Sequence, residues 1–87
     1  MHSVYVLENA TDKGLYIGYT SNLKRRLREH RTGSGGRTTS LKRAWRLIYF
    51  EAYVNKSDAF GREKFLKSGS GRKYIKKQLA HYFGLRG

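Results

Sequence analysis

Glu63 is the residue whose position is hardest to explain as ordinary packing. At roughly 100° per residue, Ala59, Glu63 and Leu66 share one face of a helix, which places a carboxylate on an apolar stripe. A carboxylate there is costly unless it is paired, protonated or bound to a cation. Two interpretations remain open. One is a salt bridge to a neighbouring Lys or Arg, and the other is a ligand for a hard divalent cation such as Mg²⁺.

Arg26 and His30 are four residues apart and therefore lie on one face of a helix. An arginine can hold a phosphate with two parallel hydrogen bonds. A histidine can bind a phosphate or transfer a proton near neutral pH. The pair therefore fits phosphate chemistry, although an ordinary basic helix with a partly buried histidine has the same pattern.

Tyr5 and Tyr16 each lie in a short run of β-branched and aromatic residues that is typical of a strand. Gly18 comes two residues after Tyr16, so it faces the same side of the strand and leaves space beside the ring. A tyrosine could transfer a proton at such a site. Strand tyrosines are more often packing residues, so both interpretations stay open.

Strands and helices alternate along the chain in a way that could bring these residues together. The patterns predict strands over 3–7, 15–20 and 46–54, the third being the longest apolar stretch and a candidate for the central strand. They predict a helix over about 22–31 with a cap at Ser21 or Asn22, and one over 56–68 with a cap at Asn55 or Ser57. A third is expected from a cap at Ser70 to about 83. Residues 33–36 read as a flexible glycine loop, and 38–43 as a short helix or turn.

The composition is strongly basic, with 19 Lys and Arg against 6 Asp and Glu, a net charge of +13. This charge favours a polyanionic partner, with nucleic acid first and an anionic membrane surface second. The 12 aromatic residues (7 Tyr, 4 Phe, 1 Trp) favour a folded binder. The absence of cysteine excludes disulfides, cysteine-bound zinc and a thiol nucleophile.

The length and hydropathy of the chain bear on its number of domains and on whether it is a membrane protein. The 87 residues are expected to form a single domain, 1–87. No apolar run approaches the roughly 20 residues of a membrane span, and the N-terminus lacks a signal-peptide pattern. We therefore expect a cytoplasmic protein that does not act on membranes.

Four motifs resemble, in order and spacing, those of the GIY-YIG nuclease family. They are VYV at 4–6, LYIGYT at 15–20, LKRRLREH at 23–30 and AFGREK at 59–64. The resemblance spans residues 3 to about 68, and the layout is most similar to small standalone bacterial members. The first motif lacks the family's glycine but keeps its tyrosine.

This resemblance implies a fold, a reaction and a set of roles. The implied fold is an α/β (α+β) domain with a small three-stranded antiparallel sheet flanked by helices. The implied activity is that of an endonuclease that hydrolyses phosphodiester bonds with one Mg²⁺ or Mn²⁺ ion. Tyr5 and Tyr16 match the family's tyrosines, Arg26 and His30 match its helix residues, and Glu63 matches its metal ligand.

Most of the remaining basic residues are candidates for contacts with nucleic-acid phosphates. The candidate binding residues are Lys24, Arg25, Arg28, Arg31, Arg37, Thr38, Lys42, Arg43, Arg72, Lys73 and Lys76. Each could equally be part of a solvated basic face, but together they make affinity for nucleic acid the expected property.

The substrate is expected to be DNA, cut with low sequence preference or by recognition of a structure, because little of the chain is left for sequence readout. A protein partner or a homodimer could supply further specificity. The alternative is a non-catalytic basic module that binds RNA or DNA, which would leave the position of Glu63 unexplained.

Overall fold

The computed structural model describes residues 1–32 and 44–86. Three strands and four helices follow one another in the order β-β-α-β-α-α-α within these residues. They are β1 (His2–Asn9), β2 (Leu15–Thr20), α1 (Leu23–Thr32), β3 (Trp45–Tyr53), α2 (Lys56–Lys67), α3 (Gly69–Gln78) and α4 (Ala80–Arg86). The glycine loop and the short helix or turn expected over 38–43 lie outside the described residues.

The strands form one antiparallel sheet in the order β2-β1-β3. The expected α+β class and three-stranded sheet are confirmed. The expectation that the third strand is central was wrong, because β1 occupies the middle and β3 an edge. Seven of the eight residues of β1 are buried, whereas β3 alternates polar or exposed residues such as Arg46 and Phe50 with partly buried ones. An edge strand tolerates that exposure.

One face of the sheet packs against α2 and α3. Val4 and Val6 of β1 are fully buried there, in a cluster with Ala59, Leu66 and Ile75 of the two helices. Burying a valine, leucine or isoleucine fully contributes about 1.5–3 kcal/mol relative to leaving it in water. This cluster is therefore the main apolar core of the described fold.

The other face of the sheet packs against α1. Successive side chains of a strand point to opposite faces. Tyr5 and Leu7 therefore face away from the valine cluster, and Tyr5 contacts His30 of α1. Helices thus cover both faces of the sheet, with α2 and α3 on one face and α1 on the other.

Side-chain caps set the helix starts. Asn22 accepts a hydrogen bond from the backbone of Arg25, and Asn55 accepts from the backbone of Ser57 and Asp58. The expected caps for α1 and α2 are present, but the expected cap at Ser70 was wrong. Ser68 caps α3 instead, accepting from the backbone of Gly71.

The single helix expected over 71–83 was also wrong, because it divides into α3 and α4. Leu79 has φ −105° and ψ 34° and ends α3 with backbone bonds to Ile75 and Lys77. The apolar stripe that suggested one helix continues across this break. Ile75 and Leu79 pack on the core, and Tyr82 donates a hydrogen bond to Glu8.

Among the helices of residues 1–32 and 44–86, none is long and apolar enough to cross a membrane.

Candidate active site

Tyr5 is the centre of the hydrogen-bonded cluster between β1 and α1. Its side chain is fully buried. Its hydroxyl oxygen lies 3.0 Å from Nε2 of His30 and accepts a hydrogen bond from Nε of Arg26 at 3.4 Å. Three of the residues selected from the sequence are therefore in direct contact.

The surroundings of Tyr5 and His30 hold both side chains in their neutral forms at neutral pH. Burial raises the pKa of Tyr5, although the hydrogen bond from Arg26 opposes the shift. Burial, and then the charge of Arg26, lower the pKa of His30, which is 2% exposed. Because Arg26 can only donate, the tyrosine oxygen accepts from it. The Tyr5–His30 bond fits either direction, according to which ring nitrogen of His30 carries the proton.

The hairpin register brings Tyr16 beside this cluster. Tyr16 pairs with Leu7, and Gly18 pairs with Tyr5. The Tyr16 ring centroid is 6.2 Å from that of Tyr5 and 5.3 Å from that of His30. Unlike Tyr5, Tyr16 is only partly buried. The Tyr16 side chain is therefore more accessible to solvent than that of Tyr5.

Gly18 makes this approach of the two tyrosines possible. A Cβ atom at Gly18 would lie 2.6 Å from Cζ and from the hydroxyl oxygen of Tyr5, and 3.0 Å from Cε1 of Tyr16. The space that the sequence predicts beside Tyr16 is thus filled by the Tyr5 ring, so the glycine is a steric requirement of the cluster.

Arg26 carries the cluster's positive charge. Its guanidinium also donates to Oε1 of Glu29 at 3.0 Å, and 31% of the side chain is exposed. The hydrogen bond to Tyr5, more than that to Glu29, raises the pKa of Arg26, so the group stays charged. A fixed and partly exposed guanidinium of this kind can bind a phosphate.

Glu63 lies on α2 and therefore on the opposite face of the sheet from Tyr5. Its carboxylate pairs with the ammonium of Lys67 at 2.9 Å, and 21% of the side chain is exposed. Glu63 follows Phe60 by three residues, which places both on neighbouring parts of the helix surface. The Phe60 ring packs at 4.5 Å from the Tyr19 ring of β2. Phe60, one turn before Glu63, therefore faces β2, an edge strand of the sheet.

Among the described residues, Glu63 could hold a metal ion with its one carboxylate. No group of three or more His, Asp or Glu side chains within residues 1–32 and 44–86 could hold an ion. Mg²⁺ commonly binds through one or two carboxylates together with waters and substrate phosphate oxygens. Glu63 has the hard oxygen donors this requires, and its partner Lys67 is on the surface, with 54% of its side chain exposed.

The other predicted binding residues are distributed over several surfaces. Those with exposed side chains are Lys24, Arg25, Arg28, Arg72, Lys73 and Lys76. Arg72 and Lys76 line a cavity of about 270 Å³ together with Lys13, which the sequence analysis did not select. Arg31 lies in α1, but its side chain is outside the described set, and Arg37, Thr38, Lys42 and Arg43 lie outside the described residues.

Sequence reasoning also missed an ionic cluster between β3 and α2. Nε and one terminal nitrogen of Arg62 donate to the two carboxylate oxygens of Glu51 at 2.9 and 3.0 Å. Tyr49 and Tyr53 each donate to the same carboxylate at 2.5 Å. The Arg62 guanidinium lies 4.4 Å from the centroid of the Tyr74 ring. The signal available was Glu51 between two tyrosines at a spacing of two, which places all three on one face of the strand.

Comparisons with known proteins place the chain in a family. Residues 1–77 match the model of the GIY-YIG catalytic domain. A UPF0213 protein of Haloquadratum walsbyi is 40% identical over 91% of this chain and 85% of its own length. A UPF0213 protein of Natronomonas pharaonis is 43% identical over 83% of this chain and 84% of its own.

A solved structure agrees with these matches. The solution NMR structure of a UPF0213 protein from Bacillus halodurans aligns with a TM-score of 0.55 and 36% identity, over 93% of this chain and 83% of that one. The order of the four sequence motifs, the β2-β1-β3 sheet and the contact of Tyr5 with His30 all lie within the matched region. The chain belongs to the GIY-YIG family.

Proposed function

We propose that this protein is a divalent-metal-dependent endonuclease that hydrolyses phosphodiester bonds in DNA, with low sequence specificity or with selectivity for a DNA structure. The observation that carries the proposal is the contact of Tyr5 with both His30 and Arg26, beside Tyr16, in a GIY-YIG catalytic domain. These are groups that can transfer a proton and bind a phosphate.

Tyr16 is the better candidate for the general base. In the proposed reaction Tyr16 acts as the phenolate: a water oxygen bonds to phosphorus, its proton passes to the phenolate oxygen, and the bond to the leaving oxygen breaks with its electron pair going to that oxygen. Tyr5 is poorly suited to this step, because its hydroxyl is enclosed between Arg26 and His30 and burial raises its pKa. Tyr5 instead fixes the position of the arginine and the histidine.

Arg26 and Glu63 would have different roles toward the substrate. The guanidinium of Arg26 would stabilise the charge that develops on the non-bridging oxygens. Glu63 would hold the Mg²⁺ or Mn²⁺ ion, which supplies Lewis-acid stabilisation of the phosphoryl and leaving oxygens when bound.

The net charge of +13 would supply affinity for the DNA backbone. For duplex DNA, log K should fall with log salt at a slope near −0.9 for each phosphate contacted. The exposed basic residues of α1 and the cavity formed by Lys13, Arg72 and Lys76 are the proposed contacts among the described residues. They lie outside the Tyr5 cluster, so replacing one of them should weaken binding more than turnover.

The test is a cleavage panel of duplex, single-stranded and branched DNA and of RNA, with Mg²⁺, Mn²⁺ or EDTA. Tyr16→Phe and Glu63→Ala should lose metal-dependent cleavage while binding is largely kept. Tyr19→Phe and Asp58→Asn are matched controls on the same strand and helix and should cleave normally. Full cleavage by purified Glu63→Ala contradicts the metal assignment. Binding without any turnover by the wild type would indicate the non-catalytic module instead.

A further inference from the structure

A cavity of about 420 Å³ lies beside the Tyr5 cluster, between α1 and β3. Leu7, Leu27 and Leu47 form its apolar walls, and Trp45 and His30 also line it. The Trp45 ring centroid is 6.0 Å from that of Tyr16. A volume of this size falls in the range of small-molecule sites, and its position is immediately next to the proposed general base.

Two buried nitrogen atoms on residues lining the cavity have no hydrogen-bond partner among the described residues. They are Nδ1 of His30 and Nε1 of Trp45. The tryptophan nitrogen is always a donor. Nδ1 of His30 donates or accepts according to which ring nitrogen carries the proton. Buried polar groups are almost always satisfied, so two unpaired buried nitrogens on residues beside one cavity indicate a ligand with polar atoms.

Two cations complete the lining of the cavity. Lys24 is exposed, and 52% of the Arg46 side chain is exposed even though its guanidinium lies 3.5 Å from the Glu8 carboxylate. The cavity therefore combines apolar walls, two unpaired nitrogens of neutral side chains and two positive charges. A flat, apolar-faced ring with acceptor atoms on its edge and a phosphate attached nearby matches all three features.

We infer that this cavity binds one unstacked nucleobase of a single-stranded segment of the substrate, next to the phosphate that is cut. The base would lie against Trp45 and the leucines, with a carbonyl oxygen accepting from Nε1 of Trp45 and another polar edge atom pairing with Nδ1 of His30. Its flanking phosphates would contact Lys24 and Arg46. Thymine, cytosine and guanine carry such oxygens, whereas adenine does not. The inference rests on the proposed function and specifies how its substrate is held.

Trp45 is the only tryptophan in the chain, so its fluorescence reports on the cavity. Wild-type protein in EDTA, where no metal-dependent cleavage occurs, is titrated with short thymine oligonucleotides and with an abasic version of the same length. Stacking of one base on an aromatic side chain raises the binding affinity by about 5- to 150-fold. We expect a fluorescence change with thymine and a loss of affinity of at least about fivefold with the abasic strand.

Variants separate the cavity from general attraction to phosphates. Leu27→Phe, which fills the cavity, should remove most of the preference for the thymine strand over the abasic one. Arg28→Gln, on the exposed surface of the same helix, should weaken binding of both strands equally. Thermal unfolding checks that each variant is folded, and the abasic comparison in the wild type does not depend on any variant.

The outcomes distinguish this inference from the proposed function. Equal affinity for thymine and abasic strands, or an unchanged Trp45 signal on binding, overturns the inference even if the enzyme cleaves DNA. A strong base preference without metal-dependent cleavage supports the cavity and contradicts the endonuclease. A chain that binds neither strand contradicts both.

Discussion

The hydroxyl oxygen of Tyr5 in the middle strand lies 3.0 Å from Nε2 of His30, which is 25 residues further along the chain in α1. Both side chains are almost fully buried. A hydrogen bond between two neutral buried groups costs little as long as both are present, but leaves an unsatisfied group when one is removed. This contact therefore fixes α1 on the sheet, and it holds Arg26 and Tyr16 in their relative positions.

Tyr5→Phe should separate the positioning role of Tyr5 from the chemical role proposed for Tyr16. Removing the Tyr5 hydroxyl leaves Nε2 of His30 buried without its partner, which costs about 1–3 kcal/mol of unfolding free energy. Cleavage should fall but persist, because Arg26 loses one anchor and keeps Glu29. Tyr16→Phe should do the reverse, with little loss of stability and no cleavage. Urea unfolding and single-turnover cleavage measure the two effects.

A double-mutant cycle checks the same contact directly. If Tyr5 acts through His30, the combination of Tyr5→Phe with His30→Gln should destabilise by less than the sum of the single changes. An additive result would contradict the coupling of Tyr5 and His30, and a Tyr5→Phe protein of normal stability that cleaves nothing would make Tyr5 the base.

Gly18→Ala should displace Tyr5 and damage both stability and activity. The added Cβ would lie 2.6 Å from the Tyr5 ring and hydroxyl, a distance that real side chains do not adopt. Overpacking of this kind costs about 1–3 kcal/mol. Gly61→Ala is the matched control, since nothing lies within 4 Å of its Cβ position on α2, and it should stabilise by about 0.5–1 kcal/mol. A Gly18→Ala protein as stable as the wild type would contradict the packing described here.

The strands, two of the three expected helices and the contact partners of the cluster could be predicted because each depends on local pattern. The strand over 15–20 and the caps at Asn22 and Asn55 depend on side chains that act within a few residues of one another. The Arg26–His30 spacing fixes one helix face. Alternation along β1 separates Tyr5 from the valines on either side of it.

What could not be predicted depends on relations between distant segments. Nothing local shows that β1 rather than β3 is central, or that the helix after Ser68 breaks at Leu79. The apolar stripe placed Glu63 on a buried face, and its side chain is 21% exposed, but the pattern did not decide which cation pairs with it, which in the structure is Lys67. Glu51 of β3 and Arg62 of α2 are 11 residues apart in the sequence. Whether they meet depends on how α2 crosses the sheet.

Breaking the Glu51–Arg62 pair should destabilise the fold without directly touching the candidate active site. Both side chains are mostly buried, and the carboxylate accepts from Tyr49 and Tyr53 as well as from the arginine. Arg62→Gln should cost about 1.5–3 kcal/mol of unfolding free energy. Lys67→Gln, which breaks the more exposed pair with Glu63, should cost less than about 1 kcal/mol. Equal losses in urea unfolding would contradict the difference in burial.

The destabilisation caused by Arg62→Gln should depend on pH, and the pKa of Glu51 sets the direction of that dependence. Burial alone would raise the pKa of Glu51, but the hydrogen bonds from Arg62, Tyr49 and Tyr53 outweigh it and hold the pKa below 4.5. The carboxylate therefore adds stability above that value and loses it as pH falls through the lower folded pKa. The stability difference between wild type and Arg62→Gln should shrink in acid, as followed by unfolding at pH 7 and pH 3.

His30 should make the fold less stable as the solution is acidified below about pH 6.5. Burial and Arg26 lower its pKa from 6.5 in the folded state, so the unfolded chain binds the proton first. The contribution is therefore present above 6.5 and is lost as pH falls, by at most about 1.4 kcal/mol per pH unit for one proton. His30→Gln removes this titration while His2 and His81 remain, so the difference between the two proteins isolates it. Unfolding midpoints measured from pH 8 to pH 5 should converge as pH falls, and parallel curves would show that His30 is protonated equally in both states.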